Sequence, residues 1–173
     1  MSEIRSISEG TFVIGDTNGL TFEAGPGISV SQPSEGTVRI ANDETVLFET
    51  SSPTQILYST DLKLNLSESP FNFERIKIYY KISFGNGIQV IEVVPTDTTN
   101  TFCVGGFWCS NSDGTAILND SCCAKFLSDK LQLTYGSRYQ VNRTDNTIGH
   151  REDRGPSVTK VVGINRISGG NNE

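Results

Sequence analysis

The chain is poor in apolar residues, in histidine and in positive charge. Its 173 residues carry 14 Lys and Arg against 20 Asp and Glu, a formal net charge of −6. Nucleic-acid binders normally show a basic patch. The one basic cluster here, HREDR at 150–154, is diluted by its own two acids. Nucleic acid is therefore excluded as an expected partner. No stretch approaches the roughly 20 apolar residues that span a bilayer. The opening MSEIRSISEG has no apolar run of the signal-peptide kind. The expectation is a soluble chain made in a cytoplasm, with no membrane insertion. Helical periodicity is also missing.

These shortages bear on catalysis. The single histidine, His150, sits in a polar stretch. A Ser/His/Asp triad needs its histidine held by a serine and a carboxylate; Ser157 and Asp153 are near it only in sequence. The adjacent acids Asp43-Glu44 and Glu152-Asp153 read as a turn or a solvated face rather than the paired acids of a glycosidase. Gly25-Pro26-Gly27 lacks the lysine and the following helix of a phosphate-binding loop, so it reads as a turn. No catalytic residue and no cofactor is expected.

Four cysteines are present: Cys103, Cys109, Cys122 and Cys123. Without a secretion signal, reduced thiols are the default. Zinc ligands usually come in pairs two to four residues apart. Here C-x5-C is followed, twelve residues on, by a vicinal pair. Neighbours on a strand point to opposite faces, so Cys122 and Cys123 are poorly placed to share an ion, and no metal is expected. A Cys103–Cys109 disulfide depends on the turn between them. A two-residue Gly105-Gly106 hairpin sets Cys103 opposite Trp108, whereas a longer loop over 104–108 sets the two cysteines opposite each other.

What is present is β patterning. FNFERIKIYYKISFGNGIQVIEVV, residues 71–94, reads as two apolar-rich strands around an Asn86-Gly87 turn, whose residues tolerate positive φ. Alternation puts Ile76, Ile78, Tyr80 and Ile82 on one face and Arg75, Lys77, Tyr79 and Lys81 on the other. In DLKLNL, Leu62, Leu64 and Leu66 share a face. Further strands are expected over 102–109, 116–118, 122–135 (with a bend at Ser128-Asp129), 138–144 and 158–167. A turn is expected at Gly136 and a hydrophilic loop over 145–156. About eight strands over roughly 120 residues suit an antiparallel β-sandwich. Upstream, TFVIG, LTFEA, GISVS, TVRIA and TVLFE are short strand-like pieces separated by turn signals. Their thin apolar stripe wants another surface: the main domain, or the same segment of neighbouring chains. The second is favoured. The 35% hydrophobic content also suits a core completed by subunit contacts.

From Thr45 onward the chain resembles the C-terminal head domains of fibre proteins on tailed bacteriophages of Gram-positive and gut bacteria. The matching pieces run in order: TVLFE (45–49), LNLSESPFNFERIKIYYK (64–81), LQLTYGSRYQVN (131–142) and VTKVVGINRI (158–167). None is a catalytic signature. The four cysteines and the long charged loop over 145–156 depart from the family. The resemblance implies a jelly-roll-like β-sandwich head, commonly a homotrimer, at the end of a fibre. It also implies attachment to capsid or tail proteins of the virion through the N-terminal segment, and display at the virion surface. The resulting division is a flexible or anchoring segment over 1–10, a trimerising β connector over 11–49, a sandwich head over 50–167 and a disordered tail over 168–173. The short upstream segment fits a head fibre or a tail-fibre tip; a free bacterial adhesion module is the alternative.

The binding expectation is a host-surface glycan. Sugar sites pair an aromatic platform with hydrogen-bonding side chains. Trp108, Tyr135 and Tyr139 supply aromatic rings, and Asn111, Asp113, Arg138 and Asn142 supply polar partners. For Trp108 the competing assignment is the core, where tryptophan is largely buried on average.

Overall fold

The computed structural model describes residues 4–8, 11–14, 20–23, 28–34, 37–42, 44–82, 87–109 and 116–167, the residues before 44 and Trp108 by their backbone alone. Among them are fourteen strands and one short 3-10 turn, with no α-helix. Five strands precede residue 44. β1 (Ile4–Ser8), β2 (Thr11–Ile14) and β3 (Leu20–Glu23) form an antiparallel three-stranded sheet. β4 (Ile28–Ser34) and β5 (Thr37–Asn42) form a hairpin. The upstream strand-like pieces are therefore strands, and the polar opening segment contributes β1.

The remaining strands are β6 (Glu44–Glu49), β7 (Asp61–Asn65), β8 (Phe73–Lys81), β9 (Ile88–Val93), β10 (Thr101–Cys109), β11 (Ala116–Phe126), β12 (Lys130–Asn142), β13 (Ile148–Arg151) and β14 (Ser157–Arg166). They make two antiparallel sheets. One runs β6-β14-β8-β9; the other runs β10-β11-β12, with β7 and β13 both paired to the far edge of β12. The sheets pack face to face as a sandwich. As in a jelly roll, the first strand pairs with the last, β6 with β14, and β7 pairs with β12 in the opposite sheet. Inside that nest, β8-β9 is a hairpin and β10-β11-β12 a meander.

The alternation read from the sequence sets the core. Ile76, Ile78, Tyr80 and Ile82 are all buried, while Arg75 and Lys81 face solvent. Across the sandwich they meet Val104, Cys122, Ala124, Phe126, Leu131 and Leu133. Each fully buried Val, Leu, Ile or Phe among them contributes roughly 1.5–3 kcal/mol. Leu66 is buried, and Leu62 and Leu64 pack against the same cluster. The Tyr80 hydroxyl donates to the Gly105 carbonyl of the opposite sheet at 2.6 Å. β8 and β9 pair from Lys81↔Ile88 to Ile76↔Val93. Asn86 of the turn between them lies outside the described residues, as does the tail over 168–173.

Several local expectations change. β10 passes straight through Gly105-Gly106, so there is no hairpin there. Cys103 and Cys109 sit six residues apart on one strand, about 20 Å at the usual rise, which excludes a disulfide between them. Cys122 is buried and Cys123 exposed, on opposite faces as alternation requires. β11 is one strand where two pieces were expected, and its inward positions include Asp120. The turn at Ser128-Asp129 links β11 to β12, with Leu127 N–H bonded to the Lys130 carbonyl. β12 does not turn at Gly136 but continues through a bulge. The hydrophilic stretch 145–156 contains β13, whose four residues are all exposed.

Candidate functional site

The site grows out of the bulge in β12. Ser121 pairs with Ser137 and Cys123 with Thr134. Cys122 alone therefore spans the interval that Tyr135 and Gly136 occupy on the partner strand. Tyr135 takes up the extra length with a left-handed φ of 56°, a conformation that costs an L-residue roughly 1–2 kcal/mol. A bulge commonly re-aims a side chain, and Tyr135 is turned out to solvent with 58% of its surface exposed.

Gly136 follows because backbone fills the space beside it. A Cβ there would lie 1.9 Å from the Ile56 carbonyl oxygen, and one on Gly155 would lie 2.1 Å from the same atom. The connector after β6 is wedged between these two glycines. Ile56 is fully buried, and its N–H donates to the Pro156 carbonyl at 3.0 Å. Gly136 N–H donates to the Leu57 carbonyl, and Tyr58 N–H to that of Glu152. These bonds fix Tyr58 beside the bulge.

The result is an exposed aromatic cluster. Tyr58 and Tyr135 have ring centroids 5.7 Å apart. Tyr58 meets His150 edge-on at 6.3 Å, and Tyr139 stacks on His150 at 4.6 Å with 26° between the planes. Tyr139 and His150 are direct cross-strand partners on β12 and β13. Tyr58 and Tyr139 are 44% and 48% exposed. The cluster continues into an apolar band. One cross-strand row runs Phe107, Asn119, Tyr139, His150, and the next runs Cys109, Ile117, Val141, Ile148. Phe107, Val141 and Ile148 are all exposed.

Beside the rings lies an open groove lined by Thr60, Asp61, Gln132 and Thr134. It adjoins a second depression bounded by Thr101, Cys123 and Lys125. The Gln132 side-chain amide donates to Asp61 Oδ1 at 2.6 Å. That bond, with help from the Lys63 ammonium, holds the Asp61 carboxyl below its ordinary value. The groove thus presents a carboxylate, an amide and hydroxyls next to aromatic faces.

Of the residues singled out from sequence, Tyr135 and Tyr139 come together here. Arg138 does not. It is buried with Asp120, its direct cross-strand partner, in a two-point ion pair: Nε to Oδ1 at 2.5 Å and a terminal nitrogen to Oδ2 at 2.6 Å. A guanidinium held that way is scaffold. Asn142 holds the β12–β13 turn, its side-chain carbonyl accepting from Thr144 N–H and its own N–H donating to the Thr147 carbonyl. Asn111 and Asp113 lie outside the described residues. The Trp108 backbone pairs with Leu118. Tyr58, Asp61 and Gln132 join the site without having been singled out, and His150, weighed from sequence only as a triad histidine, joins it as an aromatic ring. Their one visible signal is that Asp61 and Gln132 occupy outward positions on alternating strands.

Among the described residues no group of three or more His, Cys, Asp and Glu is arranged to hold a metal ion, and no helix is long and apolar enough to cross a membrane. Comparison with protein-family models, curated proteins and solved structures gives no match.

Proposed function

We propose that this chain is a structural virion protein of a tailed bacteriophage, a head fibre or tail-fibre tip whose β-sandwich adheres to host-surface glycans. The observation that carries the adhesive half is the exposed cluster of Tyr58, Tyr135, Tyr139 and His150 beside the Asp61–Gln132 groove. Aromatic rings present a large rigid apolar face with a polar tip, which suits the C–H face of a pyranose. Asp61 accepts hydroxyl protons, and Gln132 and Thr134 both donate and accept. The backbone arrangement favours recognition as well, because strained positions and bulges concentrate at functional sites. The fibre half rests on the collinear resemblance from Thr45 onward and on the five short strands that precede it. In a homotrimer, three weak sites raise avidity without any new contact.

The test is binding of the full chain to cell-wall polysaccharide of candidate hosts, followed by titration calorimetry with the fragments that bind. Tyr139→Ala is expected to weaken binding about tenfold, equivalent to ~1.4 kcal/mol. Tyr135→Gly separates ring from backbone: it relieves the left-handed strain, so stability holds or rises while binding falls. Unchanged affinity in both variants rejects this face as the glycan site. Solution mass divides the two classes of protein. A stable trimer supports a fibre; a glycan-binding monomer supports a free adhesion module.

A further inference from the structure

The meander sets two thiols face to face. Cys103 on β10 and Cys123 on β11 are direct partners in the antiparallel register. Both are exposed, whereas their chain neighbours Val104 and Cys122 are buried. Both sulfurs therefore lie on the outer face of the sheet. Directly opposed antiparallel residues have Cα atoms about 4.5–5.5 Å apart, inside the roughly 4.4–6.8 Å that a disulfide requires. The other two cysteines are out of contention. Cys109 is six residues along β10, and Cys122 faces the core, where burial pushes its thiol up to about 12. Partial burial, then the facing Cys123, holds the Cys103 thiol above its ordinary value, and the Ser121 side chain offsets part of that rise.

We propose that Cys103 and Cys123 form a modification site for thiol–disulfide exchange, which takes a small-molecule disulfide of the oxidised-glutathione class and ends as a cross-strand disulfide. One of the two, as thiolate, attacks a sulfur of the small disulfide. The small molecule's S–S bond breaks, one small thiolate leaves, and a mixed disulfide remains on the protein. The second cysteine gives its proton to solvent and attacks the protein-bound sulfur of that mixed disulfide, releasing the second small thiolate. Two protein thiols are oxidised by two electrons, and one small disulfide is reduced to two thiols. The new bond ties the edge strand β10 to β11 and closes the chain between Val104 and Cys122. Because Cys123 borders the depression next to Tyr135, the bond also fixes the floor of the proposed binding face. The inference stands on the register alone and does not depend on glycan binding.

The experiment incubates the full, reduced, folded chain with oxidised glutathione at about pH 8.5, near the ordinary thiol range. Exchange is quenched with acid, free thiols are alkylated, and peptides are mapped without reductant. The expected result is a Cys103–Cys123 linked peptide about 2 Da lighter than its two reduced parts, glutathione on the exposed, unpartnered Cys109, and an alkyl group, after unfolding, on the buried Cys122. Cys103→Ser and Cys123→Ser each leave the surviving partner as a stable glutathione mixed disulfide. Should either variant fail to fold, the wild-type map decides. Cys103 and Cys123 remaining free or separately capped at equilibrium overturns the proposal. So does a linkage to Cys109, to Cys122 or to a second chain.

Discussion

Arg138 and Asp120 place two opposite charges where a β-sandwich normally puts hydrocarbon. Each side chain is 2% exposed, and the pair is bidentate and in register. Desolvating two ions is costly, and their mutual attraction offsets that cost only while both are present. Arg138→Ala or Asp120→Ala is therefore expected to lose about 3–5 kcal/mol of stability, because each strands its partner's charge. The double variant Asp120→Leu/Arg138→Met should recover most of that loss. Urea unfolding of the four proteins checks it; additive single losses would deny the coupling. The same pair explains why β11 was not read as one strand. Its alternation runs unbroken from Ala116 to Phe126 only if Asp120 counts as an inward residue. What permits that is an arginine eighteen positions away on the neighbouring strand.

At the scale of elements, legibility followed the difference between the two faces of a strand. β8 was readable because its inner positions are aliphatic or aromatic and its outer ones mostly charged. β13 was not, because all four of its residues are exposed and no apolar face marks it. The place of Tyr58 was equally hidden. It depends on hydrogen bonds from the connector to Glu152 and Pro156, nearly a hundred residues downstream. The closing strand offers a prediction of its own. Arg166 at the end of β14 forks onto Glu68, which precedes the 3-10 turn over Pro70–Asn72. Hydrogen bonds from Arg166, then from Asn72, hold the Glu68 carboxyl below its usual value. A depressed carboxylate pKa gives stability that is present above the unfolded value and lost as pH falls through the folded one. Melting temperature should therefore decline as pH drops below about 4.5, and Glu68→Gln should lower it near neutrality while flattening part of that acid slope. An unaltered slope in Glu68→Gln would assign the acid sensitivity to other carboxylates.

For the whole molecule, the sandwich starts at Glu44 rather than at 50, because β6, assigned from sequence to the connector, pairs with β14 and buries Leu47 in the core. The five strands upstream form two small sheets of three and two strands. Isolated two-stranded hairpins are marginally stable in water. On the proposed reading, those strands gain stability from the same segment of neighbouring chains. Deleting residues 1–40 is then expected to dissociate the assembly while leaving the head's calorimetric transition nearly in place. Equal loss of both transitions would contradict a division into connector and head.

The shared far edge of β12 has a consequence for how such a protein diversifies. β7 and β13 lie in line there, one on either side of the bulge. Tyr58 reaches the cluster from the β7 side; His150 arrives on β13. Residues 143–151 add no buried side chain to the sandwich. They form an exchangeable cassette spliced onto a fixed frame. On the proposed reading, substitutions or insertions there redraw half of the binding face without disturbing a buried side chain.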